Sequence, residues 1–234
     1  MIKERTFRHV IVNAVIALLV SGVAVTGIVL NNRAVSVNDP APLYRGTSET
    51  KVSLMINVYW GTEYIRPMLD VLKEKGVKTT FFVGGMWVAE NDELLKQIYD
   101  EGHEIANHGY YHKDCKKLSD ERCSQEISIT HKLVSEVIGV EMDLFAPPSG
   151  SYSGNTVKVA ERLGYRTIMW SLDTIDWRDK DEELIYTRAT KKIRGGDLVL
   201  MHPTEMTLKA LPRIIDTISE KGLVVSPVSE VING

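Results

Sequence analysis

The sequence predicts an α/β fold, a parallel sheet covered by helices, preceded by one N-terminal transmembrane helix. Three observations predict it. Short β-rich runs alternate with helical patterns from Lys51 to the C-terminus. Polar residues gather at the ends of the predicted strands, where the loops of such folds meet. An uncharged run, Val10 to Leu30, sits ahead of the alternation. The pattern fits a (β/α) barrel, complete or not, or an open doubly wound sheet.

The N-terminal segments come first. Residues 1–9 carry Lys3, Arg5 and Arg8 and form a cytoplasmic N-terminus by the positive-inside rule. Residues 10–30 hold only Asn13, Ser21 and Thr26 as polar members and reach about 30 Å as a helix, enough to cross a bilayer core. The apolar core is longer than that of a cleaved signal peptide. Its nearest cleavage-like triplet is Ala34-Val35-Ser36, so it reads as a signal anchor. The remainder is then exported, single-pass, with the C-terminal domain outside the cytoplasm. Residues 31–50, polar and holding Pro40 and Pro42, read as a linker, and residues 51–234 as the folded domain.

Within that domain "VSLMINVYW" is the first strand. "EYIRPMLDVLKEKG" places Ile65, Met68, Leu69 and Leu72 on one helical face and stops at Gly76. "TTFFVGG" is a strand, "NDELLKQIYDEG" a helix and "HEIANHG" a strand. "SDERCSQEISITHKLVSEVIG" is a helix with Ser119 as N-cap and Gly139 as its stop. Then follow strand "LFAPP", helix "NTVKVAERLG", strand "YRTIMWS", helix "DEELIYTRATKKI", strand "DLVLMH" and helix "LKALPRIIDTISEKG". "LVVSPVSEVI" ends the chain as a strand or a strand-to-helix segment.

Composition excludes two partner classes. A net charge of −3 over 234 residues gives no basic footprint for nucleic acid. No Gly-x-Gly-x-x-Gly and no P-loop follows the first strand, so nothing supports a nucleotide. Cys115 and Cys123 are the only cysteines. They can form one bridge closing a short loop or stay as free thiols, and spacing alone leaves both readings open.

The strand-end residues carry the chemistry. "NHGYYH" gives His108 and His112 at i and i+4, which can meet one metal ion if the segment turns helically after its strand, yet a hydrolytic zinc site needs a third ligand. Asp173 and Asp176 with Trp177 follow "RTIMWS". His202 ends an apolar strand, where a carboxylate neighbour can set its pKa for acid catalysis. Each has a structural alternative: loop caps for the acids, a hydrogen-bonded rim residue for His202.

In order, a strand-end motif, H-x-x-x-H, Pro147-Pro148-Ser149-Gly150, D-x-x-D-W and L-x-H resemble the polysaccharide deacetylases of the NodB-homology type, carbohydrate esterase family 4. The likeness runs from Lys51 to the C-terminus and extends to the membrane-anchored sporulation-type members. It implies a distorted (β/α) barrel that removes acetyl groups from N-acetylated cell-wall glycans such as peptidoglycan. It implies a divalent metal, commonly zinc, on His108 and His112, Asp173 as the carboxylate tuning His202, and His202 as general acid. The Pro147–Gly150 turn and Trp177 would touch substrate.

The departures from that pattern concern the base. Asn57 stands where active members have the Asp that acts as general base, Val58 where a metal-binding Asp follows, and Ala146 where an Arg holds the base carboxylate. An amide accepts no proton near neutral pH, and both halves of that ion pair are gone together. A site with these losses can also stand without a metal. The leading expectation is a degenerate deacetylase that binds cell-wall glycan, with Trp87, Trp170 and Trp177 as candidate stacking surfaces. The alternatives are an active N-deacetylase with Glu63 as substitute base, or a scaffold for an exported protein partner.

Overall fold

The computed structural model describes residues 40–234. The cytoplasmic N-terminus, the expected signal anchor at 10–30 and the start of the linker lie outside the described residues. Among the described residues no helix is long and apolar enough to cross a membrane.

The first strand, β1 (Lys51–Val58), is buried from Val52 onward, as a strand covered on both faces must be. It is flanked by β2 (Thr80–Val83) and β7 (Leu198–Met201). The sheet continues outward through β3 (Glu104–Asn107), β4 (Leu144–Phe145) and β5 (Arg166–Thr167) on one side and β6 (Leu172–Asp173) on the other. A last strand, β8 (Val224–Val225), pairs with Lys51 and Val52. Every ladder is parallel. No pairing joins β5 to β6 among the described residues, so the expected barrel is a curled half-barrel.

Helices cover its outside: α1 (Thr62–Glu74), α2 (Gly85–Glu90), α3 (Asp92–Asp100), α4 (Asp120–Ile138), α5 (Gly154–Arg162), α6 (Glu182–Thr190) and α7 (Glu205–Glu220). A short α8 (Val228–Ile232) follows β8. The anticipated face of α1, Ile65, Met68, Leu69 and Leu72, is buried. Ser119 caps α4, its hydroxyl accepting from Arg122 N at 3.4 Å, and Gly139 ends it in the left-handed region.

Strand alternation divides the apolar residues into two layers. Outward-facing Leu54, Ile56, Val58, Phe81, Val83 and Val199 join the core beneath the helices. Inward-facing Met55, Phe82, Ala106, Leu144, Ala146, Ile168 and Leu198 pack with Val228, Val231 and Ile232 of α8. That inner layer fills the half-barrel below its C-terminal rim and leaves the rim for polar groups.

Three features differ from the sequence expectation. The segment between "TTFFVGG" and "NDELLKQIYDEG", to which the sequence assigns no element, forms α2, and the two-residue β6 is too short for any periodicity to show. The linker assigned to 31–50 becomes part of the fold by Leu43. Leu43 bridges in parallel to Ile168 and Arg45 bridges to Asp197. Buried Asp197 holds this strap by pairing with Arg45 at 2.6 Å and accepting from Ser171 Oγ at 2.5 Å and Arg194 N at 2.8 Å.

His103, just before β3, is buried edge-on against Phe81, and its Nδ1 accepts from Thr79 N at 3.3 Å. Burial, and then the nearby Lys78 cation, lower its pKa to about 4. The folded value lies below the unfolded one, so this residue's stabilisation is complete above about pH 6.5 and is lost as pH falls toward about 4. Urea titrations across that range should show declining stability in the native chain. His103→Asn, which does not titrate, should decline less steeply; an unchanged slope would remove His103 from the account.

Candidate functional site

The inward parity of each strand continues one step past the inner apolar layer, and the next residue reaches the rim. Met55 is followed by Asn57, Ala106 by His108, Ile168 by Trp170, and Leu198 by Leu200 and then His202. All five rim residues line one cavity of about 380 Å³. His112, Ser149, Gly150, Asp173 and Trp177 complete much of its wall. The structure therefore brings together most of the residues that the sequence placed at strand ends.

The two histidines meet through a loop, without the helical turn their spacing had invoked. Asn107 Oδ1 accepts from Gly109 N at 2.9 Å. Buried Glu126 of α4 accepts from Tyr110 N at 2.8 Å and Tyr111 N at 2.7 Å. This clamp carries the chain round to His112, itself at φ 53°, and sets the His108 and His112 ring centroids 5.1 Å apart. His108 Nδ1–H donates to Ala146 O at 2.8 Å, which leaves its Nε2 lone pair free. Burial, and then the neighbouring His112, hold the His108 pKa down to about 3; burial also lowers that of His112. Both rings are neutral near pH 7.

His202 is oriented by a different acid from the one the family resemblance implied. Asp176 Oδ1 accepts from His202 Nδ1–H at 2.7 Å, and Asp176 Oδ2 accepts from His202 N at 2.6 Å and Thr207 Oγ1 at 2.6 Å. Asp173 faces the cavity, and its Oδ1 accepts from Ile175 N at 2.8 Å. Ile175 adopts φ 54°, and this reversal of the chain turns Asp176 back beneath His202.

Asn57 is only 4% exposed, and its Oδ1 has no hydrogen-bond partner. It is a buried acceptor on the wall of an open cavity. Val58, which the resemblance placed at a metal-ligand position, faces the other way and packs in the outer apolar layer. Alternation along β1 separates the two side chains. Glu63, the suggested substitute base, is exposed at the start of α1 and lines a separate hollow with Arg66 and Asp92. In the Pro147–Gly150 turn, Ser149 and Gly150 reach the cavity wall while Pro147 and Pro148 are buried and shape the turn. Gly150 is required there: a Cβ would lie 2.5 Å from the Trp170 ring.

The loop after β1 contributes two residues that the sequence reading did not assign. Tyr59 stacks on His112 with centroids 4.2 Å apart and planes 12° apart. Trp60 stacks on His202 at 5.8 Å and 7°. Tyr59 shares the inward parity of Met55 and Asn57, a signal that could have found it. Trp170 and Trp177 line the cavity, whereas Trp87 is buried and donates from Nε1 to Thr62 Oγ1 at 2.9 Å. Cys115 and Cys123 are free, buried thiols. The hydrogen bond between them, and then burial, push the Cys115 thiol up.

The donors present do not make a hydrolytic metal centre. His108 and His112 offer two neutral imidazoles and Asn57 a neutral carbonyl, with no anionic ligand beside them. No group of three His, Cys, Asp or Glu comes together among the described residues. Such a set holds a divalent cation weakly compared with a three-ligand zinc site.

Comparison with known proteins gives the family. The polysaccharide deacetylase family model matches residues 44–168. YlxY of Bacillus subtilis is 40% identical over 83% of this chain, and the match spans 61% of that relative's length. A peptidoglycan-N-acetylglucosamine deacetylase of Bacillus cereus is 33% identical over 72% of this chain and 82% of its own. A crystal structure of a wild-type CE4 family pseudoenzyme from Bacillus anthracis has 40% identity and TM-score 0.80, covering 82% of this chain and 69% of that one. A mutant of the same pseudoenzyme, described as having restored enzymatic activity, has 38% identity and TM-score 0.80 over 82% of this chain and 71% of its own. With more than half of its length inside the family model, this chain belongs to the polysaccharide deacetylase family.

Proposed function

We propose that this chain binds N-acetylated cell-wall glycan of the peptidoglycan type and leaves the acetamide bond intact. Asn57 carries this reading. It occupies the inward rim position of the central strand, and its buried carbonyl lacks a donor. A carboxylate there would take a proton from water; an amide cannot. An acetamido N–H is a donor that the orphaned carbonyl can accept from. The CE4 pseudoenzyme of Bacillus anthracis, similar over most of the described domain, supports a non-catalytic assignment. The peptidoglycan deacetylase of Bacillus cereus supports the glycan class.

We further propose a membrane location for the chain. Residues 10–30 anchor the chain as a single-pass membrane protein, with the glycan-binding domain outside the cytoplasm and a role in sporulation envelope assembly. The uncharged length of that run and its basic flank support this arrangement.

Trp177 is the cleanest probe of the cavity, because it is 56% exposed and lines the wall. Trp177→Ala should weaken binding of N-acetylated tetrasaccharides roughly threefold to tenfold, the loss expected for one aromatic platform. Fluorescence titration of the remaining tryptophans measures it. Absence of saturable binding by the unaltered protein would end the glycan reading.

A further inference from the structure

Beside the cavity lies a second hollow, of about 590 Å³. Tyr59 and Trp60 line both spaces. The second hollow differs from the first in its charge. Lys113 and Glu90 both line it, both are exposed, and neither pairs with the other or with any other group among the described residues. By contrast, Lys96 is paired with Asp92 and Glu93, and Lys117 with Asp114.

Tyr111 adds an apolar wall that is 51% exposed. Its position is fixed, because its backbone N–H is one of the two held by Glu126 and its ring meets Tyr110 edge-on at 86°. Thr62 presents a hydroxyl whose oxygen already accepts from Trp87, so its proton is available to a ligand. The hollow thus offers one cation, one anion, a hydroxyl donor and an aromatic face, and it shares Tyr59 and Trp60 with a sugar-sized cavity.

A neutral polysaccharide would make no use of that charge pair. A short peptide carrying both a carboxylate and an amine would use both charges. We propose that this hollow receives the peptide stem of a stem-bearing glycan whose sugar lies in the main cavity, with Lys113 on a carboxylate and Glu90 on an ammonium. The inference rests on the glycan reading above and makes it more specific: the preferred ligand is a glycan with a zwitterionic peptide attached.

The test compares two ligands on the full protein by calorimetry. One is an N-acetylated peptidoglycan tetrasaccharide stripped of its stems; the other is the same tetrasaccharide with stems containing a diamino acid. The stem-bearing ligand should bind about threefold to tenfold tighter, the range for partly exposed charge pairs. Lys113→Glu and Glu90→Lys should each abolish that advantage and leave the stripped ligand unaffected. Both side chains are exposed, so folding should survive, which circular dichroism checks. If the stripped ligand binds and the stems add nothing, or if Lys113→Glu leaves their advantage intact, this inference falls and the glycan reading stands. If the stripped ligand fails to bind while the stems confer Lys113-dependent binding, the hollow is supported and the glycan reading falls. If neither ligand binds, both fall.

Discussion

Replacing Asn57 by Asp together with Ala146 by Arg is expected to produce acetate release from N-acetylated glycan in the presence of a divalent cation, at least about 100-fold above the unaltered protein. The expectation follows from what the cavity retains. His108 is held with its Nε2 free and the His112 ring close by, and His202 is locked to Asp176. What is missing is an anionic group beside them. Asp at 57 supplies it on an inward-facing side chain that already lines the cavity. Ala146 also belongs to the inward layer, so an Arg there starts from the correct face of the sheet. Asn57→Asp alone should gain less, because a carboxylate in a largely buried position without a cationic partner tends to stay protonated. Val58→Asp should gain nothing and should lower stability, since it buries a charge in the outer apolar layer. No gain from the double replacement would mean that the cavity has diverged further than these positions.

Asp176→Ala is expected to cost about 3 kcal/mol of folding stability, from three donors left without their acceptor. For a domain of this size the melting temperature should fall by roughly 6–12 °C. The loss reaches beyond His202, because Thr207 belongs to the first turn of α7 and also donates through its backbone N–H to Thr204 Oγ1 at 3.0 Å. Asp173→Ala removes one half-buried hydrogen bond to Ile175 and should cost under about 1 kcal/mol. Differential scanning calorimetry of the two variants decides between the acids. Equal losses would contradict the assignment of Asp176 as the residue that positions His202.

The fold was legible wherever periodicity was long enough to read. β1 and α1 each run through several repeats of their own period, and both formed where expected. The half-barrel itself was less legible, because closure depends on whether β5 pairs with β6, and these strands are two residues long. The strap from Leu43 to Arg45 was missed because Pro40 and Pro42 mark a linker by composition, while its bridges to Ile168 and Asp197 are long-range. At the site, Asn57, His108 and His202 were accessible from strand parity alone. Asp173 and Asp176 were not separable, because their exchange of roles turns on the positive φ of Ile175, which no spacing reveals. Val58 followed the family's motif in sequence, but alternation sent it outward. Trp60 reaches His202 through a turn ending at Gly61 with φ 76°, so its stacking is a tertiary fact.

Acetate release by the unaltered protein, incubated with N-acetylated peptidoglycan strands and excess zinc, tests the central claim most directly. Saturable glycan binding is expected, with acetate no higher than in protein-free controls. Acetate formed with enzymatic turnover, and lost on His108→Ala, would contradict it.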